Sequence, residues 1–291
     1  TKQHQMLESG TGYAARFRQD LLTSSDRNFR PVDMEFAPDG SLYIIDWHNA
    51  LIGHMQHNAR DVNRDHAHGR VYRVTYPARP LVKPAKVSGA SISELLGNLK
   101  LHEYRTRYRT RRELRGRDAD QVLAATAAWV GELDASDPGH EHHLLEALWV
   151  TWGFDRADES LLRRLLSSDD HRVRAAAVEV LRFNGHRVAD QASLLLKAAG
   201  DEHGRVRMGA MVAATWLGKS VGLPIMEKAG ERQDEWLTPV YKASRSFFSG
   251  QPVDALPKID LTTHLTGRDR ELFEKGAEVF SRDGHCATCH Q

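Results

Sequence analysis

Cys286 and Cys289 lie three positions apart near the end of the 291-residue chain, and His290 follows the second thiol directly. They are the only cysteines in the sequence, so no wider disulfide framework includes them. The string Cys286-Ala-Thr-Cys289-His290 divides the tasks of covalent haem c attachment among three side chains. Each thiol adds to one haem vinyl group, and a two-residue gap on one turn matches the separation of the vinyls. The adjacent imidazole then reaches the iron as proximal ligand. Three other readings stay open. A zinc site needs a fourth ligand, and Cys-His in direct succession suits one tetrahedral centre poorly. A redox dithiol expects a βαβ setting, and a motif this short also arises by chance.

A second concentration of reactive side chains falls at residues 46–68. His48, His54, His57, His66 and His68 accompany Asp46, Asp61 and Asp65, residue types that hold metals or move protons near neutral pH. His54 and His57 share a face if their stretch is helical, and His66 and His68 share one if theirs is a strand. The plainer alternative is a hydrogen-bonded loop or an interface.

The elements needed to position these residues differ along the chain. Before the thiols, residues 271–280 read as a helix with Leu272, Phe273, Gly276, Val279 and Phe280 on one face. Around the histidines, Val32–Phe36 and Ser41–Asp46 read as strands joined through Pro38-Asp39-Gly40. Proline presets one turn angle there and glycine accepts the positive φ. A loop of about two dozen residues follows, long enough to expect a functional role. Gly69–Val74 then reads as another strand.

Between these regions, residues 91–250 show helix after helix. Val173-Arg174 recurs as Val206-Arg207, thirty-three positions later, each opening an apolar helical stripe. Second helices are expected near 104, 141, 171, 204 and 236, giving about five helix pairs that resemble HEAT-type repeats. The period is shorter than the roughly 40–47 residues usual for those repeats. A tetratricopeptide array (about 34 residues) is the rival, although its Trp-Leu-Gly-Tyr pattern is missing. Such arrays most often serve as scaffolds. The arginine run from Arg105 to Arg117 places Arg107 in the slot of Arg174 and Arg207. Inter-repeat pairing and contact with the preceding domain are therefore expected, rather than a nucleic-acid patch.

The formal charge of +1 gives no reason to expect nucleic acid, and no apolar run approaches the roughly 20 residues of a membrane span. Membrane association is not encoded in these residues. The chain begins without an initiator Met or signal region and ends one residue past His290. The expectation is a piece of a longer protein: residues 1–80 the last blade or blades of a β-propeller, 81–250 an α-solenoid, 251–267 a linker, and 268–291 the start of an all-α cytochrome c domain.

The residues Phe-x-Pro-Asp-Gly-x-Leu-Tyr, then Asp46-Trp47 and His68-Gly-Arg-Val-Tyr-Arg-Val74, resemble the closing blade of quinoprotein sugar dehydrogenases. The fuller string, through Gly53-His-Met-Gln-His-Asn58 and Arg64-Asp-His-Ala-His-Gly-Arg70, is similar to one group in particular. These are the large haem-binding CxxCH proteins of planctomycetes and relatives, described as membrane-bound dehydrogenases, whose order is propeller, HEAT-like repeats, cytochrome c. The resemblance implies a periplasmic or cell-surface enzyme that oxidises a sugar, alcohol or related polyol with pyrroloquinoline quinone and calcium. Electrons would pass to covalent haem c at Cys286 and Cys289, with His290 on the iron, and on to a partner protein. The alternative is a propeller and solenoid scaffold that binds polysaccharide or protein and carries an electron-relay cytochrome.

Overall fold

In the computed structural model, residues 1–49, 62, 64–251 and 266–279 are described. The chain divides into two units, Thr1–Ser249 and Gly250–Gln291.

The first unit begins with two separate antiparallel sheets. Strands β1 (Lys2–Ser9) and β2 (Gly12–Asp20) form a hairpin. Strands β3 (Pro31–Phe36), β4 (Leu42–Asp46) and β5 (Arg70–Val74) form a second sheet in that order. Among the described residues these strands close into neither a barrel nor a propeller. The β3–β4 turn forms as its residues dictate: Gly40 N–H donates to Ala37 O at 2.9 Å, and Gly40 takes φ +83°. Asp39 fixes the exit by accepting from the Ser41 amide and hydroxyl. Along β4 the period of two is clear, with Leu42, Ile44 and Asp46 buried and Tyr43 and Ile45 exposed.

Ten α-helices follow, arranged as five pairs. The first members are α1 (Ile92–Asn98), α3 (Ala119–Gly131), α5 (Glu159–Leu165), α7 (Gln191–Ala199) and α9 (Lys219–Ala229). The second members are α2 (Tyr104–Arg115), α4 (His140–Gly153), α6 (His171–Asn184), α8 (Gly204–Ala214) and α10 (Leu237–Ser249). The second helices start within one residue of the positions expected from the repeat. Side-chain caps explain several of the starts: Ser91 with Glu94 makes a capping box, and Glu103, Asp118, Asp158 and Asp170 each accept first-turn amides. Of the stripes anticipated along α6 and α8, Val173, Ala177, Val180, Leu181, Val206, Ala210, Ala213 and Ala214 are buried, Ala176, Gly209 and Leu217 are half-buried, and Val178 and Met211 join the buried set. Each of these helices has neighbours on two sides, so the apolar surface is wider than one stripe.

The repeated arginine has a repeated task. Arg107 Nη1 donates to the Leu101 and His102 carbonyls, Arg174 Nη1 to those of Ser168 and Asp169, and Arg207 Nη1 to those of Asp201 and Glu202. In every case the acceptors lie six and five residues earlier, in the loop entering the same helix. A planar guanidinium can satisfy such loop carbonyls and still reach the next repeat. Arg107 reaches Glu146 at 3.0 Å, Arg174 reaches Asp201 at 2.8 Å, and Arg207 reaches the Arg232 carbonyl at 2.9 Å. Arg105 pairs with Glu35 of β3, so the run also ties the solenoid to the second sheet.

In the second unit, α11 (Gly267–Glu278) forms where a helix is expected, with Leu272, Phe273 and Val279 exposed. Phe280, most of the expected linker, and Cys286, Cys289 and His290 lie outside the described residues.

Candidate functional site

Strands β4 and β5 bring Asp46 and Arg70 together at one end of the second sheet, where they pair directly in register. Asp46 is buried and fully engaged. Its Oδ1 accepts the Arg30 amide at 2.7 Å and the His48 amide at 2.9 Å, while Oδ2 accepts Arg70 Nε at 2.9 Å. Burial alone would raise its pKa, but the two amides and the guanidinium outweigh that and hold it below the ordinary range. Arg70 also binds Asp26 at 2.7 Å.

This carboxylate positions His48. Accepting the His48 amide turns the chain sharply at the end of β4, and His48 adopts φ +55°, a conformation that few non-glycine residues take but that histidine tolerates better than most. Its Nε2 lies 3.3 Å from Asp65 Oδ2. Asp65 is itself fixed by the Ala67 and His68 amides and by His68 Nδ1 at 2.8 Å. The Ala67 amide, followed by the His68 ring, holds the Asp65 pKa at about 2. A proton on His48 Nε2 faces this fixed carboxylate, which leaves Nδ1 as the acceptor nitrogen. Nδ1 is buried and has no hydrogen-bond partner among the described residues. The arrangement is chemically that of an oriented proton acceptor.

Of the five loop histidines, His48 and His68 therefore meet at Asp65, with their rings 6.5 Å apart. His66 is exposed and does not join them. The shared strand face considered for His66 and His68 does not exist, because both lie ahead of β5 and Asp65 folds their segment into a bend. His54, His57 and Asp61 lie outside the described residues.

A second cluster was not evident from the sequence. Glu8 of β1, His171 at the start of α6 and His203 capping α8 bring one ligand-type atom each within 4.8 Å of one another. His171 Nε2 is 3.2 Å from Glu8 Oε1, and the two imidazoles stack at 3.6 Å. His203 Nδ1 accepts the Arg205 amide at 3.2 Å. A neutral imidazole capping through Nδ1 carries its proton on Nε2 and has no other lone pair for a metal. The cluster instead latches the β1–β2 hairpin onto the solenoid. Around it the Thr11 amide donates to Asp234, Arg205 stacks over Tyr13 at 4.1 Å, and Gly204 leaves room that any side chain would take from Thr11. The one visible signal in the sequence was His203 standing where the preceding repeat carries the cap Asp170.

This latch has a signed pH dependence. Burial, then the charges of His171 and Arg205, lower the His203 pKa. The undocked state takes up the proton first, so the latch contributes fully above about pH 6.5 and weakens as pH falls below it. Thermal melting between pH 8 and 5.5 is expected to show wild type losing more stability than His203→Asn, which caps without titrating. Parallel curves would contradict this assignment.

Two known family models match the chain, one over its strands and one over its helices. A domain of unknown function (DUF7133) matches residues 1–78, spanning both sheets. HEAT repeats match residues 126–213 and 159–238. No curated protein and no solved structure matches the chain. The helical pairs over residues 126–238 are similar to HEAT repeats.

Proposed function

We propose that the chain is the electron-relaying part of an extracytoplasmic haem c oxidoreductase that oxidises a sugar, alcohol or related polyol. The observation that carries this reading is the string Cys286-Ala-Thr-Cys289-His290. Its donor set fits the group: two thiols for two vinyl substituents and one imidazole for the iron, with no further cysteine to complete a zinc site. Ahead of the string, α11 carries exposed Leu272 and Phe273 and is followed by exposed Val279, apolar side chains of the kind that shield a porphyrin. The bound haem supplies one-electron transfer, and covalent attachment keeps it in place outside the cytoplasm.

On the substrate side, His48 serves as the base for the hydroxyl proton once substrate uncovers its buried Nδ1, with Asp65 holding the ring and Asp46 holding the backbone that aims it. The second sheet is proposed to be a propeller blade, as in quinoprotein sugar dehydrogenases. Val32, Met34, Phe36, Ile45 and Val71 are exposed on this three-stranded sheet, which suits packing against further sheets. Pyrroloquinoline quinone and calcium belong to the same proposal as the two-electron acceptor, and the described residues show no acidic donor set for calcium. A partner protein takes the electrons onward.

The test is haem reduction in the full-length parent protein, since this piece is not expected to be active alone, matured with cytochrome c assembly machinery and supplied with quinone, calcium and a panel of sugars and polyols. At least one substrate is expected to reduce the haem. His48→Asn is expected to slow that reduction by about 10²-fold or more with covalent haem content unchanged. Reduction by none of the panel, or at the wild-type rate in the variant, would count against the assignment.

A further inference from the structure

The second helices α2, α4 and α6 wall a groove of about 810 Å³ whose lining includes Tyr108, Arg112, Arg115, Trp149 and Glu179. A neighbouring hollow of about 470 Å³ crosses α6 and α8, and Glu179 lines both. Aromatic rings and guanidinium groups alternate along this face. Arg112 lies over Tyr108 at 5.9 Å, Arg111 over Trp149 at 5.1 Å, and Arg182 over Trp216 at 4.6 Å. Trp152 stacks on Phe183 at 5.5 Å and links the second pair to the third.

The charges fall into two classes. Arg107 and Arg111 are consumed by the buried Glu146. Arg112 and Arg115 form no ion pair or hydrogen bond with the described residues, and neither does Glu179. The groove thus offers flat apolar rings, two uncommitted cations and one uncommitted carboxylate.

We propose that this groove binds an acidic saccharide chain built from uronic acid units. Ring faces pack against the C–H faces of pyranose rings, Arg112 and Arg115 take the sugar carboxylates, and Glu179 accepts sugar hydroxyls. A polymer of sugar units matches a groove whose rings, Tyr108, Trp149 and Trp152, come from two successive helix pairs. A DNA strand is disfavoured because its backbone offers Glu179 no free hydroxyl, whereas every sugar unit of a saccharide does. A polypeptide is disfavoured because helical walls offer it no free backbone edge and Val150 is the only aliphatic side chain among the described residues lining the larger groove. The site is independent of the oxidoreductase reading, since nothing in it involves the haem string or His48.

The experiment titrates the full chain with a galacturonic acid hexamer, following tryptophan fluorescence and heat of binding. Controls are a glucose hexamer, a glutamate-rich peptide and an oligo-dT of similar length. Saturable binding of the galacturonate is expected, at least tenfold tighter than any control. The double substitution Arg112→Gln with Arg115→Gln, at two exposed positions that leave far-ultraviolet circular dichroism unchanged, is expected to weaken it at least tenfold. Tyr108→Ala is expected to do the same. Absence of binding, wild-type affinity in the double variant, or equal affinity for a control would overturn the proposal.

Discussion

Glu146→Ala is expected to destabilise the first two helix pairs by about 3 kcal/mol, at the lower end of the range for breaking a buried ion pair. The Glu146 side chain is wholly buried on α4, with Arg107 at 3.0 Å and Arg111 in close contact from α2 and His142 Nε2 at 3.3 Å from its own helix. Burial alone would raise the Glu146 pKa, yet His142 and Arg111 more than offset it and keep the carboxylate charged. Removing it leaves two guanidinium groups facing one another and opens a void between α2 and α4. Arg107 and Arg111 retain partial access to water, with side chains 14% and 21% exposed, so the cost stays below that of stranding a fully buried charge. Because repeats couple mainly to their neighbours, hydrogen exchange should accelerate first in α2 and α4 and least in α8 to α10. A loss under 1 kcal/mol by urea denaturation, or uniform acceleration along the array, would contradict this picture.

The same residues show why the solenoid was readable. The Val-Arg pair and its cap recur because each second helix needs an apolar face inward and a guanidinium over its entry loop. Those demands are local, so they mark the sequence at fixed spacing. The β1–β2 hairpin left no comparable mark. Met6, Leu7, Tyr13 and Phe17 are exposed rather than packed on one side, so burial does not enforce alternation. Its anchors, Glu8 on His171 and Thr11 on Asp234, join residues 163 and 223 positions apart, beyond the reach of any periodicity. At the loop site, residue types placed His48, Asp65 and His68 in one stretch with His54, His57, His66, Asp46 and Asp61, without showing which of them meet. Their arrangement depends on the positive φ of His48 and the bend held by Asp65, which composition does not encode. His66 has the same chemistry two residues from His68 and is left outside by that bend.

Cys286→Ala combined with Cys289→Ala is expected to abolish covalent haem while leaving the solenoid folded. The thiols belong to the second unit, and among the described residues the buried clusters of the repeats draw none from beyond Phe248. His290→Ala is expected to separate the two functions of the string. The thioether bonds still form, but the iron loses its proximal ligand, so the absorption spectrum shifts while the mass gain persists.

The most direct measurement is the intact mass and reduced absorption spectrum of the wild-type chain, purified under denaturing conditions after expression with cytochrome c assembly machinery. The expected result is a mass increase of one haem that survives denaturation, with the sharp reduced bands of a haem joined through two thioethers. A chain of unmodified mass, with both thiols free to alkylate, would contradict the haem c assignment.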